Sequence, residues 1–242
     1  SFREIGTLAG TAEYDEDLNI KNVIPATYVA GMARIDGRAI AIGGEDFTVR
    51  GGTSFGSQRR KGGQGGYIED LAHHYKIPLV NLIDGAGGSV SSVKRRGFVA
   101  LPGVDGFEQS VQLLGEVPVA SAVLGTAAGG PAGRAILSHF SVMVAGTSQI
   151  FAAGPPVVKR SLGQEISKEE LGGASIAVNK AGSIHNVAET EDEALAQVKR
   201  FLSFMPQNVW QLPPVVESND PVDRRDKNLL GIVPANRRQV YD

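Results

Sequence analysis

The run Gly125-Thr-Ala-Ala-Gly-Gly-Pro-Ala-Gly-Arg-Ala135 follows the apolar stretch Val117–Leu124 and leads into Ile136-Leu137. That order predicts a buried strand feeding a helix through a bend that no side-chain-bearing residue could make. The Gly129-Gly130 pair would leave bare backbone N–H groups where the helix begins, and such groups can hold a developing oxyanion. The same glycines could instead serve only close helix–strand packing. Little else has the types or spacing for chemistry: there is no cysteine, the four histidines lack metal-ligand spacing, and neither a G-x-S-x-G nor a G-x-x-x-x-G-K-[ST] string occurs. If the chain is an enzyme, main-chain donors do most of the work, with Gly129 and Gly130 as the catalytic candidates.

A second glycine bend, Asp84-Gly-Ala-Gly-Gly88, closes the apolar run Pro78–Ile83. Gly87-Gly88 there suits either ligand approach or a plain strand-end turn. Two basic clusters, Arg59-Arg60-Lys61 and Lys94-Arg95-Arg96, have side chains that match phosphate oxygens, although basic runs on loops also serve solvation alone. His73, His74 and His185 read as packing or surface residues, and Asp223-Arg224 as a local ion pair.

The elements that must position these bends follow from the pattern. Thr27–Ile35 and Arg38–Ile42 read as strands joined by Asp36-Gly37, a pair suited to a type I′ hairpin, with a third short strand at Phe47–Val49. Residues 51–66 are too glycine-rich for a stable element and read as a mobile loop. Helix is expected over Ile68–Tyr75, strand over Pro78–Ile83, helix over Phe107–Gly115 and strand over 118–124. A helix to about His139 and strands at 141–145 and 149–152 come next. Ser167–Glu170 and Thr190–Glu193 fit capping boxes, and the second opens an amphipathic helix with Ala194, Leu195, Val198, Phe201 and Leu202 on one face, stopped by Pro206. Alternating strands and helices imply parallel β-α units with both sheet faces covered and ligands at the carboxyl ends of the strands, where both glycine bends fall.

Composition narrows the classes. A chain of 242 residues with net charge −2 can bury one sizeable core and is no generic nucleic-acid or membrane-surface binder. No apolar run reaches the roughly 18 residues of a membrane span, and zero cysteine suits a reducing compartment. The start at Ser1 without an initiator Met suggests a fragment.

Several motifs then occur in order: Asp46-Phe-Thr-Val49 with Gly51-Gly52, the 84–88 bend, Ala128-Gly129-Gly130, Gly154–Lys159, Glu169–Ala174, Gly182–His185, and Asp220–Arg224 with Gly231–Pro234. This order resembles the N-terminal half of the carboxyltransferase β-subunit of biotin-dependent acyl-CoA carboxylases, of the propionyl-CoA and methylcrotonyl-CoA type. The resemblance implies an α/β crotonase-like (ClpP/crotonase) fold of repeated β-β-α units over 1–212, with 213–242 as an arm or linker toward an absent C-terminal domain. It also implies an acyl-CoA substrate, biotin on a separate carrier protein or biotin carboxylase subunit, no metal, and a hexamer of the full-length subunit. By resemblance the Gly129 and Gly130 amides cradle the enolate. Ala86, Gly87, Gly88, Ala128, Pro131, Arg134, Arg59 and Arg60 contact substrate, and the compartment is bacterial cytoplasm or mitochondrial matrix. Departures are the sequence of the first bend, Ala177 where the family often has His, and Gly133-Arg134 where the propionyl-CoA type has Tyr-Ser. They leave open a different acyl group or a lost activity. The alternatives are another crotonase-fold enzyme acting on CoA esters, a hydratase, isomerase or decarboxylase with Glu108 or Glu116 as its acid/base, and a non-catalytic assembly module.

Overall fold

The structure, a computed structural model, describes residues 1–53, 62, 66–88 and 105–241. Its strands are β1 (Phe2–Glu4), β2 (Gly10–Tyr14), β3 (Ile20–Pro25), β4 (Tyr28–Ile35), β5 (Arg38–Glu45), β6 (Leu79–Gly85), β7 (Val119–Ala128), β8 (Phe140–Val144), β9 (Gln149–Phe151) and β10 (Asn186–Ala188). The helices are α1 (Tyr67–Tyr75), α2 (Asp105–Leu114), α3 (Gly130–Ile136), α4 (Pro155–Leu162), α5 (Lys168–Gly172), α6 (Ala174–Ala177) and α7 (Glu191–Ser203). The main sheet runs β1-β4-β5-β6-β7-β8-β10, and β9 pairs with the far end of β7. Pairing is antiparallel for β1–β4 and β4–β5 and parallel from β5 onward. The hairpin β2–β3 stands apart as its own two-stranded sheet, an element the sequence reading did not anticipate.

Local chemistry explains most of these elements. Asp36 and Gly37 both take positive φ, 49° and 81°, as a type I′ turn between β4 and β5 requires. Phe47–Val49 is a turn rather than the expected strand. The Asp46 carboxylate accepts the Thr48 amide at 3.0 Å, and the chain continues into a 3-10 turn at Arg50–Gly52. Ser167 and Glu170 form the full reciprocal capping box of α5. At α7 only half of the expected box forms: the Thr190 hydroxyl accepts the Glu193 amide at 3.2 Å, while the Glu193 carboxylate accepts the Glu189 amide instead.

Alternation along the central strands covers both sheet faces. Leu79 and Val119 pack with Ile68 and Ala72 of α1 and Leu113 of α2. Their neighbours Val80 and Ala120 face the other way, onto Ala194, Val198 and Leu202 of α7. Farther along, Ile83, Val123 and Ala127 pack with Ala132 and Ala135 of α3. The chain from 211 to 233 is exposed throughout, and its ion pair joins Arg224 to Asp220 at 3.1 Å rather than to Asp223.

This packing gives α7 a sided response to truncation. Leu202 is buried and Leu195 is exposed. Leu202→Ala is expected to cost about 3 kcal/mol and Leu195→Ala less than about 0.5 kcal/mol in urea unfolding. Equal costs would contradict the assigned face.

Candidate functional site

Three loops meet at the carboxyl ends of β5, β6 and β7. The first, 50–52, is locked to the second by the Ala86 amide, which donates to the Gly51 carbonyl at 2.9 Å. A Cβ on Gly52 would lie 2.8 Å from the Asp84 carbonyl oxygen, so the two chains touch main chain to main chain. The second loop abuts the third still more closely: a Cβ on Gly87 would fall 2.4 Å from the Ala128 carbonyl oxygen, and Gly87 also takes φ 78°. Gly129 adopts φ 63° and ψ −117°, a conformation essentially reserved for glycine.

β7 reaches this corner through an irregularity. Ile83 pairs with Val123, but Gly85 pairs with Ala127, so β7 carries two extra residues across that gap. The Asp84 carboxylate takes a hydrogen bond from the Thr126 main chain there, and a Cβ on Gly125 would overlap that carboxylate. Burial pushes the Asp84 carboxyl above the ordinary range; the Thr126 bond opposes this, Glu191 adds to the rise and Lys168 opposes it.

The donors differ from expectation at one of the two positions. The Gly129 amide donates to the Phe151 carbonyl at 3.1 Å, extending the β7–β9 ladder by one bond, so it is not free to face a ligand. The Gly130 amide lies at the first position of α3, where no intrahelical acceptor exists, and has no partner among the described residues. Gly130 is half-buried, Ala86 and Gly88 are exposed, and Gly87 and Pro131 are buried. Ala128 contributes its carbonyl to the contact with Gly87.

Arg134, expected beside a substrate pocket, is buried beneath the bends. Its side chain is 2% exposed and forms an ion pair with Glu45, itself 5% exposed. Burial pushes the guanidinium down from its ordinary range. Arg59, Arg60, Lys61 and the cluster 94–96 lie outside the described residues, as does most of the loop 51–66. The Glu45–Arg134 pair and the loop 50–52 were not singled out as site residues from the sequence. The available signal was a carboxylate ending a strand just ahead of a double glycine, Glu45 before Gly51-Gly52.

His139 and His185 are built into the packing, while His73 and His74 are exposed on α1. The Nδ1 of His185 accepts the Ser141 amide at 3.0 Å, and that of His139 accepts the Val119 amide at 3.1 Å. Glu116 precedes β7 and is held by Lys76 at 2.6 Å and His73 at 2.5 Å, at the opposite end of the sheet from the glycine bends. Glu108 is exposed on α2. No group of three or more His, Cys, Asp or Glu among the described residues could hold a metal ion, and no helix among them is long and apolar enough to cross a membrane.

The chain that folds into this corner is similar to known proteins. The carboxyl transferase domain family matches residues 1–242, and the chain belongs to that family. It is 34% identical over 218 residues to the carboxyltransferase subunit of propionyl-CoA carboxylase from Haloferax mediterranei, covering 88% of this chain and 40% of that protein. Over 215 residues it is 34% identical to methylmalonyl-CoA decarboxylase subunit alpha from Veillonella parvula, covering 88% and 41%. The transcarboxylase 12S structure, solved with hydrolysed methylmalonyl-coenzyme A bound, superposes with a TM-score of 0.72 at 28% identity over 100% of this chain and 46% of that one. The fold is therefore the crotonase-like α/β fold expected from the sequence. The chain spans about two fifths of the length of these curated relatives.

Two predictions follow from the bends. Gly129→Ala is expected to cost about 1–3 kcal/mol in urea unfolding through backbone strain alone, and Gly87→Ala more, because a carbonyl of the main chain cannot move aside. Wild-type stability for both would remove the case for the close approach. For Asp84 the folded state holds its proton more tightly than the unfolded chain does, so its contribution to stability is full below about pH 4 and is lost as pH rises through the raised value. Asp84→Asn should therefore gain on the wild type between about pH 4 and pH 7, and a pH-independent difference would contradict the assignment.

Proposed function

We propose that this chain is the acyl-CoA-binding half of a biotin-dependent carboxyltransferase, which moves a carboxyl group to the α-carbon of an acyl-CoA through an enolate. The observation that carries the reading is the half-exposed Gly130 amide without a partner among the described residues, presented where β7 gives way to α3 in a member of the carboxyl transferase domain family. A hydrogen-bond donor fixed before charge develops is what an enolate oxygen needs, and the rigid Gly129 bend supplies that fixity. Gly129 contributes conformation rather than its amide.

Carboxybiotin on a separate carrier protein would supply the carboxyl group and the base that takes the α-proton. The Gly130 amide and membership of the carboxyl transferase domain family support the CoA-ester side of that exchange. Glu45 is a carboxylate beside the bends, and it is committed to Arg134. Glu116 lies at the opposite end of the sheet from the bends, held by Lys76 and His73, which counts against it as the acid/base of a hydratase or isomerase. The named relatives include subunits of propionyl-CoA carboxylase and a methylmalonyl-CoA decarboxylase, which favours a short-chain acyl-CoA or its carboxylated product as substrate. The hexamer named for transcarboxylase 12S favours a similar assembly of the full-length subunit. Relatives labelled mitochondrial and relatives from bacteria and archaea favour the matrix or the cytoplasm as compartment.

The test is turnover by the full-length subunit with its biotin carrier and a panel of acyl-CoA esters, alongside calorimetric titration of the same esters. Gly130→Pro removes that donor and is expected to lower kcat by about 10²- to 10³-fold with the fold retained by circular dichroism. No heat of binding from any acyl-CoA would favour an assembly module, and an unchanged kcat in the variant would remove Gly130 from the mechanism.

A further inference from the structure

α3 is short, and its first residue carries the amide that has no partner among the described residues, so something outside the helix must fix its seat. Arg134 lies four residues after Gly130, one turn on along the same side of the helix. Its head reaches Glu45 at the end of β5, meets the Tyr28 hydroxyl at 3.4 Å and sits 5.6 Å above the Tyr28 ring. The other Glu45 oxygen accepts the Asp84 amide at 3.4 Å, at the end of β6. Glu45 is itself gripped by glycines: a Cβ on Gly52 would come 2.9 Å from its Cβ, and one on Gly85 2.8 Å from its Cγ. At the other end of the residue, the Arg134 carbonyl accepts hydroxyls from buried Ser121 on β7 at 3.4 Å and from Ser138 at 3.0 Å. One buried ion pair therefore joins β4, β5, β6 and α3 beneath the three bends.

The pair is poorly built for stability alone. The Arg134 Nε is buried with no hydrogen-bond partner among the described residues. A buried pair carries a desolvation cost that well-packed apolar residues of similar volume avoid. What it offers instead is direction, because a guanidinium against a carboxylate fixes angle as well as distance.

We propose that Glu45 and Arg134 are positioning residues, which set the depth and rotation of α3 and so aim the Gly130 amide at the reacting oxygen. The inference rests on the carboxyltransferase reading for its kinetic consequence but not for its structural one. It also moves Arg134 from a substrate contact to a support that never touches substrate.

The experiment replaces both charges at once in the full-length subunit, Glu45→Met with Arg134→Met, so that no lone buried charge remains. Thermal unfolding confirms the fold, steady-state kinetics with the biotin carrier separate kcat from KM, and hydrogen exchange read on the peptide spanning 130–136 reports the seating of α3. The expected result is a folded protein whose kcat falls about 100-fold while KM for the acyl-CoA changes less than about threefold, with faster exchange in that peptide. Arg134→Lys keeps the charge on a shorter arm without the planar fork, and is expected to fall between wild type and the double variant; it decides the matter if the double variant fails to fold. Wild-type kcat and exchange in a folded variant overturn the inference. If the wild type itself turns over no acyl-CoA, the functional reading fails, and the exchange of the 130–136 peptide alone then decides whether the pair seats α3.

Discussion

The site depends on one constraint, the meeting of two main chains with no room for a side chain between them. The Ala128 carbonyl occupies the place where a Gly87 side chain would begin, and the Asp84 carbonyl does the same to Gly52. Three loops from three adjacent parallel strands are thereby drawn into one corner. Nothing larger than hydrogen is tolerated at the contacts, so the corner has very few ways to relax. A backbone amide held this way can meet a developing charge without reorganising.

The same constraint explains why so little side-chain chemistry is needed. β7 is bent by two extra residues just before the corner, and the amide of Gly129 is consumed in the pairing with β9. That pairing continues the sheet to the last residue before α3 and leaves the Gly130 amide without a partner among the described residues. Polar groups nearby are assigned to structure: Asp84 to the bulge and Glu45 to Arg134. On the proposed carboxyltransferase reading the chain would supply a donor and a shape, and the chemistry of proton and carboxyl transfer would belong to the carboxybiotin and acyl-CoA it meets.

Much of the frame was legible because it depends on local rules. β-rich and apolar runs placed β4 to β7, Asp36-Gly37 gave its turn, and the capping residues marked α5 and α7. Strand ends were harder to read, since β7 runs on to Ala128 rather than stopping near Leu124, carried by its late pairing with β9. The β2–β3 hairpin left no clean apolar alternation, because both of its faces are largely exposed. At the site, the glycine bends were visible as composition, but the partner of each amide was not. Which of two adjacent glycines is spent on a ladder is decided by a strand some twenty residues away. Arg134 shows the same limit: an arginine beside a glycine bend suggests a ligand contact, and only the tertiary structure reveals the carboxylate beneath it.

The most direct test is a structure of the full-length subunit with a non-hydrolysable acyl-CoA bound. The account predicts the thioester carbonyl oxygen about 3 Å from the Gly130 nitrogen, with the Gly129 amide still paired to Phe151. A thioester seated elsewhere, with the Gly130 amide bonded inside the protein, would contradict it.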